Sequence, residues 1–368
     1  MRIDQIQIHR VRMPLVYPFR TAFDDAYAVE SVLVKLTSNG VSGWGEAAPW
    51  ESPFYCSEWA GGVFLLIKDW LGPRLLHREI DSSVQLQERL APFKGNPFAK
   101  AGLDLAWWDL HTRIAGVPLW QALGGRGPEA EVGADFGVME SIDVLIETIA
   151  RAFQEGFKRV KLKFRPGWGL EMVEAVRKAF PSGVFHVDCN SAYRLSDLDL
   201  FRQLDRFNLA MIEQPLAQDD LIDHAKLQQS IATPVCLDES ITSVEKAEKA
   251  IAVGACRWIN IKPGRVGGIT TAVKILRKAE SSGIPCWIGG MLESAIGASH
   301  CLALATLPNM LYPSDVFPSE RFYAKDLGSP EIRLARPSVI RAFDGAGIAC
   351  EPDPRELELR KVESCTLR

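Results

Sequence analysis

Along the first fifty residues the chain alternates apolar and polar positions. Ile3–Met13 and Glu30–Leu36 carry the period-two pattern of half-buried strands. Ser38-Asn39-Gly40 supplies turn residues into a third run, Val41–Glu46, so a three-stranded antiparallel meander is predicted. The period then lengthens. Glu58–Trp70, Ser82–Leu90 and Pro97–Ala115 space their apolar residues as helices do, and Trp107 and Trp108 read as core packing. Past the breaker cluster Leu123–Pro128, short apolar runs alternate with helical patterns. The predicted strands are Glu131–Val138, Arg159–Lys163, Val184–Asp188, three runs ending at Glu213, Asp238 and Ile261, and Pro285–Ile288. Between and after them lie predicted helices at Ser141–Glu155, Gly167–Phe180, Ser196–Arg206, Asp219–Gln229, Ser243–Val253, Ile269–Ser282 and Ser294–Ala305.

A repeat near 25 residues with a helix in every crossover implies parallel strands. The breakers divide the chain into an N-terminal region, residues 1–125, a repeating region, 126–317, and a tail, 318–368, expected to pack back on the N-terminal region. An open doubly wound sheet is the alternative to a closed barrel. A barrel brings successive strand ends to one face, which an open sheet does not easily do. Gly264–Gly268 precedes a helix but matches neither GxGxxG nor a P-loop.

Five of those strand ends carry charge. Lys163, Asp188, Glu213 and Asp238 follow one another at intervals of 25 residues, and Lys262 comes 24 later. One carboxylate at a strand end suits a helix cap; three at matching ends repel one another unless a cation joins them. Oxygen ligands without paired histidines favour a hard cation, Mg²⁺ with Mn²⁺ as a substitute, over Zn²⁺. Lys161 and Lys163 share one face of their strand. Two adjacent ammonium groups are expected to lower each other's pKa, which suits a general base near neutral pH, and Arg265 is expected to act on Lys262 in the same way. Together these residues point to removal of the proton beside a metal-bound carboxylate, with the charge delocalised as an enediolate.

The order KxK, DxN, E, DE, K is carried by Lys161/Lys163, Asp188/Asn190, Glu213, Asp238/Glu239 and Lys262. In it the chain resembles the enolase superfamily, and within it the muconate lactonizing enzyme subgroup. The resemblance runs from the aromatic segment Pro18–Phe23 to Tyr323. It implies an α/β fold, a modified TIM barrel of the (β/α)7β type under an α+β capping domain that the C-terminal tail completes. Ile259–Gly268, Gly289–Ser294 and Ser319–Tyr323 are similar to o-succinylbenzoate synthases and N-acylamino acid racemases. The resemblance implies Mg²⁺ on Asp188, Glu213 and Asp238. Lys163 would be the base that returns its proton to the leaving hydroxyl in a syn dehydration, and Lys262 would act from the opposite face. Lys161, Asn190, Glu239 and Arg265 would support them. The leading expectation is a lyase forming o-succinylbenzoate on the menaquinone route. The alternatives are a racemase or epimerase of N-acylamino acids or dipeptides, a cycloisomerase, and a non-catalytic binding protein on the same scaffold.

Candidate substrate contacts are Phe19, Arg20 and Tyr55 on aromatic segments, Asp135 in the first barrel strand, and Met291 and Ser294 near the last. An inward Asp135 would favour a cationic group on the substrate. Ala298 stands where this group often has Arg, and Phe23-Asp24-Asp25-Ala26 replaces a small-residue loop, so substrate identity is open. A net charge of −4 offers no electrostatic reason to bind nucleic acid or an anionic membrane. No apolar run approaches the roughly 20 residues of a membrane span, and the N-terminus lacks a signal-peptide core. Eight cysteines without CxxC spacing, among them Cys189, Cys236 and Cys286, read as small buried hydrophobes in a reducing compartment, so a cytoplasmic location is expected. The expected partner is a small-molecule carboxylate, with a homo-oligomer left open.

Overall fold

The computed structural model describes residues 1–20 and 25–368. The N-terminal alternation becomes two long antiparallel strands, Gln5–Arg20 and Asp25–Ser38, followed by Val41–Ala47. The turn between the last two places Asn39 and Gly40 in the left-handed region, at φ 47° and 80°, as a tight hairpin requires. The strands reach further than the pattern predicted. Pro18-Phe19-Arg20, part of the aromatic segment left outside the predicted strands, ends the first strand, because after a register shift Phe19 pairs with Ala26 and Arg20 with Asp25. Thr21, Ala22 and Phe23, the rest of that segment, and Asp24 lie outside the described residues. A fourth strand, Lys361–Leu367, pairs antiparallel with the outer edge of Gln5–Arg20. Its mixed sequence, Lys-Val-Glu-Ser-Cys-Thr-Leu, has too weak a period to be recognised alone.

The helix Pro97–Ala115 lies against this sheet. Contact is so close that a Cβ on Gly45 would stand 2.3 Å from the Gly102 carbonyl oxygen.

The second sheet has seven parallel strands in sequence order. They are Ala134–Phe136, Arg159–Lys163, Val184–Asp188, Ile212–Glu213, Val235–Leu237, Trp258–Ile261 and Cys286–Ile288. Residues 309–315 bridge the last to the first. Leu311 N–H donates to Cys286 O at 2.9 Å, Asp315 N–H to Ile288 O at 2.8 Å, and Gly133 N–H to Ser314 O at 3.1 Å. The sheet thus curls round to meet itself. The predicted strand Glu131–Val138 is two pieces. Glu129–Glu131 pairs with Val339–Arg341 outside the barrel, and only Ala134–Phe136 enters it. The C-terminal segment supplies that outer partner, which no local pattern announces.

Met211, Cys236 and Trp287 form an apolar plug inside the barrel. Each lies two residues before a strand-end position, so Glu213, Asp238 and Gly289 face the same interior one layer higher.

Two buried carboxylates join the N-terminal elements to the barrel. Glu46 accepts from Ser294 Oγ at 2.6 Å, Gly297 N–H at 3.0 Å and Ser294 N–H at 3.2 Å, at the start of the helix Ala295–Ala305. Asp104 accepts from Thr270 Oγ1 at 2.6 Å and Thr270 N–H at 3.0 Å, in the first turn of Ile269–Ser281. Free N–H groups and the helix dipole favour an acid there. Burial nevertheless pushes Glu46 up to about 7 against the Ser294 bonds, and Asp104 up to about 6. A carboxyl raised in the folded state gives stability that is present below its unfolded pKa and lost as pH rises through the folded one. Glu46 therefore costs about 3 kcal/mol between pH 4.5 and 8. Glu46→Gln is expected to flatten that share of the slope in urea melts at pH 5 and pH 8; an unchanged slope would contradict it.

Candidate active site

Register places the charged strand ends side by side: Lys163 pairs with Asp188, and Asp188 with Glu213. All five predicted positions are buried, from 0 % exposed at Glu213 and Asp238 to 6 % at Lys262. Lys163 Nζ donates to Asp188 Oδ2 at 2.7 Å and Asn190 Oδ1 at 3.0 Å. Asn190 lies in the left-handed region at φ 42°, tolerable for Asn, and this turns its amide back over the strand end. Its N–H donates to Asp188 Oδ1 at 3.0 Å and its Nδ2 to Glu239 Oε1 at 3.1 Å. Across the barrel, Lys262 Nζ sits 2.9 Å from Asp238 Oδ2, and the Arg265 guanidinium closes on Asp238 Oδ1. Gly289 leaves room for that lysine, since a Cβ there would lie 2.8 Å from Lys262 Cε. The two lysines therefore flank the carboxylate row from opposite ends.

The charges of the row are not as the sequence suggested. Lys161 was expected to be depressed by Lys163. Instead its Nζ meets Asp315 Oδ2 at 2.5 Å and Asp135 Oδ2 at 3.4 Å, with Asp188 and Glu213 oxygens at 3.8 and 3.9 Å. Burial works against its charge, but Asp135, Asp315, Glu213 and Asp188 outweigh burial and hold it well above the ordinary lysine value. Lys262 is likewise raised: desolvation is overcome by Tyr55, Glu239, Glu213 and Asp188. The expectation that Arg265 would lower it fails, because that guanidinium is spent on Asp238 and the surrounding acids dominate. Burial alone would raise Glu213, but Lys161, His186 and Lys262 bring it well below the usual carboxylate range. Glu239 moves the other way, to about 7, through desolvation and the neighbouring Asp188.

Several residues of this network escaped the sequence reading. Asp315, on the segment that closes the barrel, ties Lys161 to Arg159, whose Nη2 lies 2.5 Å from Asp315 Oδ1. Arg159 and Lys161 hold Asp315 down at about 2 although burial opposes them. Asn260 donates to Glu213 Oε1 at 2.6 Å, and His186 Nε2 lies 3.4 Å from Glu213 Oε2. Gln214 Oε1 accepts from the Asp238 and Ser240 N–H groups, at 3.0 and 3.1 Å. Asn260 and His186 each stand two residues before a predicted site residue, so strand alternation was the available signal. Asp315 had none, because it lies far along the chain from its partners.

The candidate substrate contacts divide. Phe19 packs edge-on to Trp50 and Phe322, with its ring 5.9 Å from Lys163 Nζ. Phe19, Arg20, Asp135, Arg321 and Phe322 line one cavity of about 470 Å³. Asp135 points inward, where its Oδ2 meets Lys161 at 3.4 Å and its Oδ1 is buried without a hydrogen-bond partner. Tyr55 reaches Lys262 and Arg265. Met291 and Ser294 are engaged elsewhere. Met291 packs in the N-terminal core, accepting from Trp50 Nε1 at 2.9 Å, and Ser294 is fully buried under Glu46.

Among the described residues, no three or more His, Cys, Asp or Glu side chains are gathered as a ready metal cage. Lysines and Arg265 stand among the acids. The donor set still suits a hard cation, because Glu213 Oε2 and Glu239 Oε2 are buried oxygens without a hydrogen-bond partner, and Asp238 Oδ2 has the Lys262 ion pair in place of one. Such oxygens are costly to bury unless a cation takes them up.

Two family models match the chain. The mandelate racemase / muconate lactonizing enzyme N-terminal domain matches residues 3–124, and the enolase C-terminal domain-like model matches residues 144–356. The chain belongs to the enolase superfamily. This enolase-superfamily chain is 41% identical over 367 residues to the N-succinylamino acid racemase of Thermus thermophilus, covering 100% of the chain and 98% of that protein. It is 40% identical over 359 residues to the o-succinylbenzoate synthase of Geobacillus kaustophilus, covering 97% and 96%. A crystal structure of an enolase-superfamily member from Listeria innocua superposes with a TM-score of 0.96 at 33% identity, covering 100% and 99%. The superfamily member described here is accordingly an enzyme, a lyase or a racemase/isomerase, with an α/β barrel-type fold. None of its helices is long and apolar enough to cross a membrane, among the described residues.

Proposed function

We propose that the enzyme removes the proton α to a carboxylate with the help of Mg²⁺, and that its reaction is the syn dehydration that forms o-succinylbenzoate, a step toward menaquinone. The observation that carries this reading is the row Asp188, Glu213, Asp238, flanked by Lys163 on one side and Lys262 on the other. Asp188, Glu213 and Asp238 would hold the cation. When bound, the cation supplies charge that offsets the carboxylates around the lysines and stabilises the electron-rich form of the substrate carboxylate. Lys163, oriented by Asp188 and Asn190, takes the α-proton and returns it to the hydroxyl that leaves from the same face. Lys262 faces the other side with its ammonium directed at the developing charge. Lys161, locked by Asp315 and Asp135, remains a fixed cation and does not transfer protons. Burial of all these groups excludes water from the proton transfers.

The second reading is racemisation of N-acylamino acids. The placement of Lys262 favours it, because an ammonium on a carboxylate at the far end of the row mirrors Lys163 and allows one lysine to take a proton while the other gives one. The racemase and synthase relatives, near 40% identity, support both reactions. A cytoplasmic setting agrees with eight cysteines that are all free.

The discriminating measurement is proton NMR in D₂O with Mg²⁺, using the synthase substrate and a set of N-acylamino acids and dipeptides. Product formation from the first, α-proton exchange with the second group, or both, is expected. Silence across the whole panel would remove the proposal.

A further inference from the structure

Tyr55 enters the site from the N-terminal region, and its oxygen is used to capacity. It accepts from Arg265 Nη1 at 3.1 Å and from Lys262 Nζ at 3.3 Å, and its O–H faces Asp238 Oδ1 at 3.5 Å. That accounts for one donor and two acceptor positions, all a phenol has. The Lys262 ammonium also lies 4.8 Å from the centre of the ring, a cation–π distance. Arg265 is itself anchored, donating through Nε to Ile241 O at 2.9 Å and through Nη2 to Asn260 O at 2.6 Å. The Tyr55 ring packs edge-on to Phe98, at 6.5 Å and 82°, in the first turn of the helix Pro97–Ala115. Phe98 in turn closes on the backbone beside Lys262, since a Cβ on Gly264 would come within 2.7 Å of it. Lys163 is held by a different pair, Asp188 and Asn190.

We propose that Tyr55 is a positioning residue for Lys262 and not for Lys163. Through this phenol the N-terminal region sets the direction of the second ammonium group, while the first is set by the barrel strands. A substrate contact at Tyr55, which its aromatic segment suggested, would instead disturb reaction at both faces. The inference rests on the two-lysine reading above and concerns how one of the two lysines is aimed.

The test compares Tyr55→Phe, which removes only the oxygen, with Tyr55→Leu, which also removes the ring. Each enantiomer of an N-succinylamino acid is incubated separately in D₂O with Mg²⁺, and loss of the α-proton signal is followed by NMR. Lys163→Ala and Lys262→Ala assign each enantiomer to its lysine. In Tyr55→Phe, exchange on the enantiomer served by Lys262 is expected to slow about tenfold, as loss of a hydrogen bond to a charged group implies. Exchange on the enantiomer served by Lys163 should stay within about twofold, because Asp188 and Asn190, which hold Lys163, make no contact with the Tyr55 oxygen, and Asp238 keeps Arg265 and Lys262 when that oxygen is removed. That second rate also reports that the variant is folded. Tyr55→Leu should widen the ratio. Equal slowing of both enantiomers, or no change in either, overturns the proposal. Wild-type enzyme that exchanges neither enantiomer overturns the two-lysine reading, and this inference with it.

Discussion

Replacing Lys163 with alanine is expected to lower turnover by about 10³-fold or more while the protein stays folded. The size follows from the general-base role, for which positioned proton transfer contributes about 10²–10⁴-fold. A further part follows from geometry, because Lys163 Nζ is the cation that Asp188 Oδ2 meets at 2.7 Å. Its removal also takes a donor from Asn190 and loosens the turn that carries Glu239's partner. The cost to the fold is modest. Asp188 keeps the Asn190 N–H, and Lys161 Nζ stands 3.8 Å away, so the carboxylate is not stranded. Steady-state kinetics with the synthase substrate, alongside circular dichroism and a thermal melt, check both halves. A Lys163→Ala enzyme with wild-type kcat would dispose of the mechanism, whatever the substrate.

Removing divalent metal should have an effect of similar size. Dialysis against EDTA is expected to reduce activity to background, with Mg²⁺ restoring it and Mn²⁺ substituting. Glu213 is the most telling ligand to change. Its carboxyl is fully buried, is kept ionised by Lys161, His186 and Lys262, and has one oxygen committed to Asn260 and the other without a hydrogen-bond partner. Glu213→Gln keeps the shape and the Asn260 contact on one side, but removes the charge a hard cation requires. Calorimetric titration with Mg²⁺ should give a binding signal in the wild-type protein and none in Glu213→Gln. This readout does not depend on knowing the substrate. Full activity after exhaustive chelation, or equal Mg²⁺ binding by the variant, would refute the metal assignment.

The charged ring was legible because parallel β/α repeats force successive strand ends onto one face, so spacing in sequence translates into neighbourhood in space. Alternation within strands puts Asn260 and His186 on the same face as Lys262 and Asp188 as well. Elsewhere the local pattern was insufficient. Lys361–Leu367 becomes a strand only because the edge of Gln5–Arg20 is there to pair with, and Glu129–Glu131 leaves the barrel because Val339–Arg341 competes for it. Ser294 looked like a pocket residue beside the last strand, yet Glu46 from the other sheet claims its hydroxyl.

By itself, the sequence determined the residues available for chemistry, their order around the barrel, and hence the family of reactions. That information is local, carried by strand period and repeat length. Tertiary structure alone decided how those charges pair and which protons they keep. Lys161 was expected to be a depressed neighbour of Lys163. It is a fixed cation because Asp315 arrives from the closing segment and Asp135 from the adjacent strand. Coulomb interactions in a buried site depend on distance through space, and the acids that set the state of Lys161 and Lys262 come from several different strands. No window of sequence contains them together.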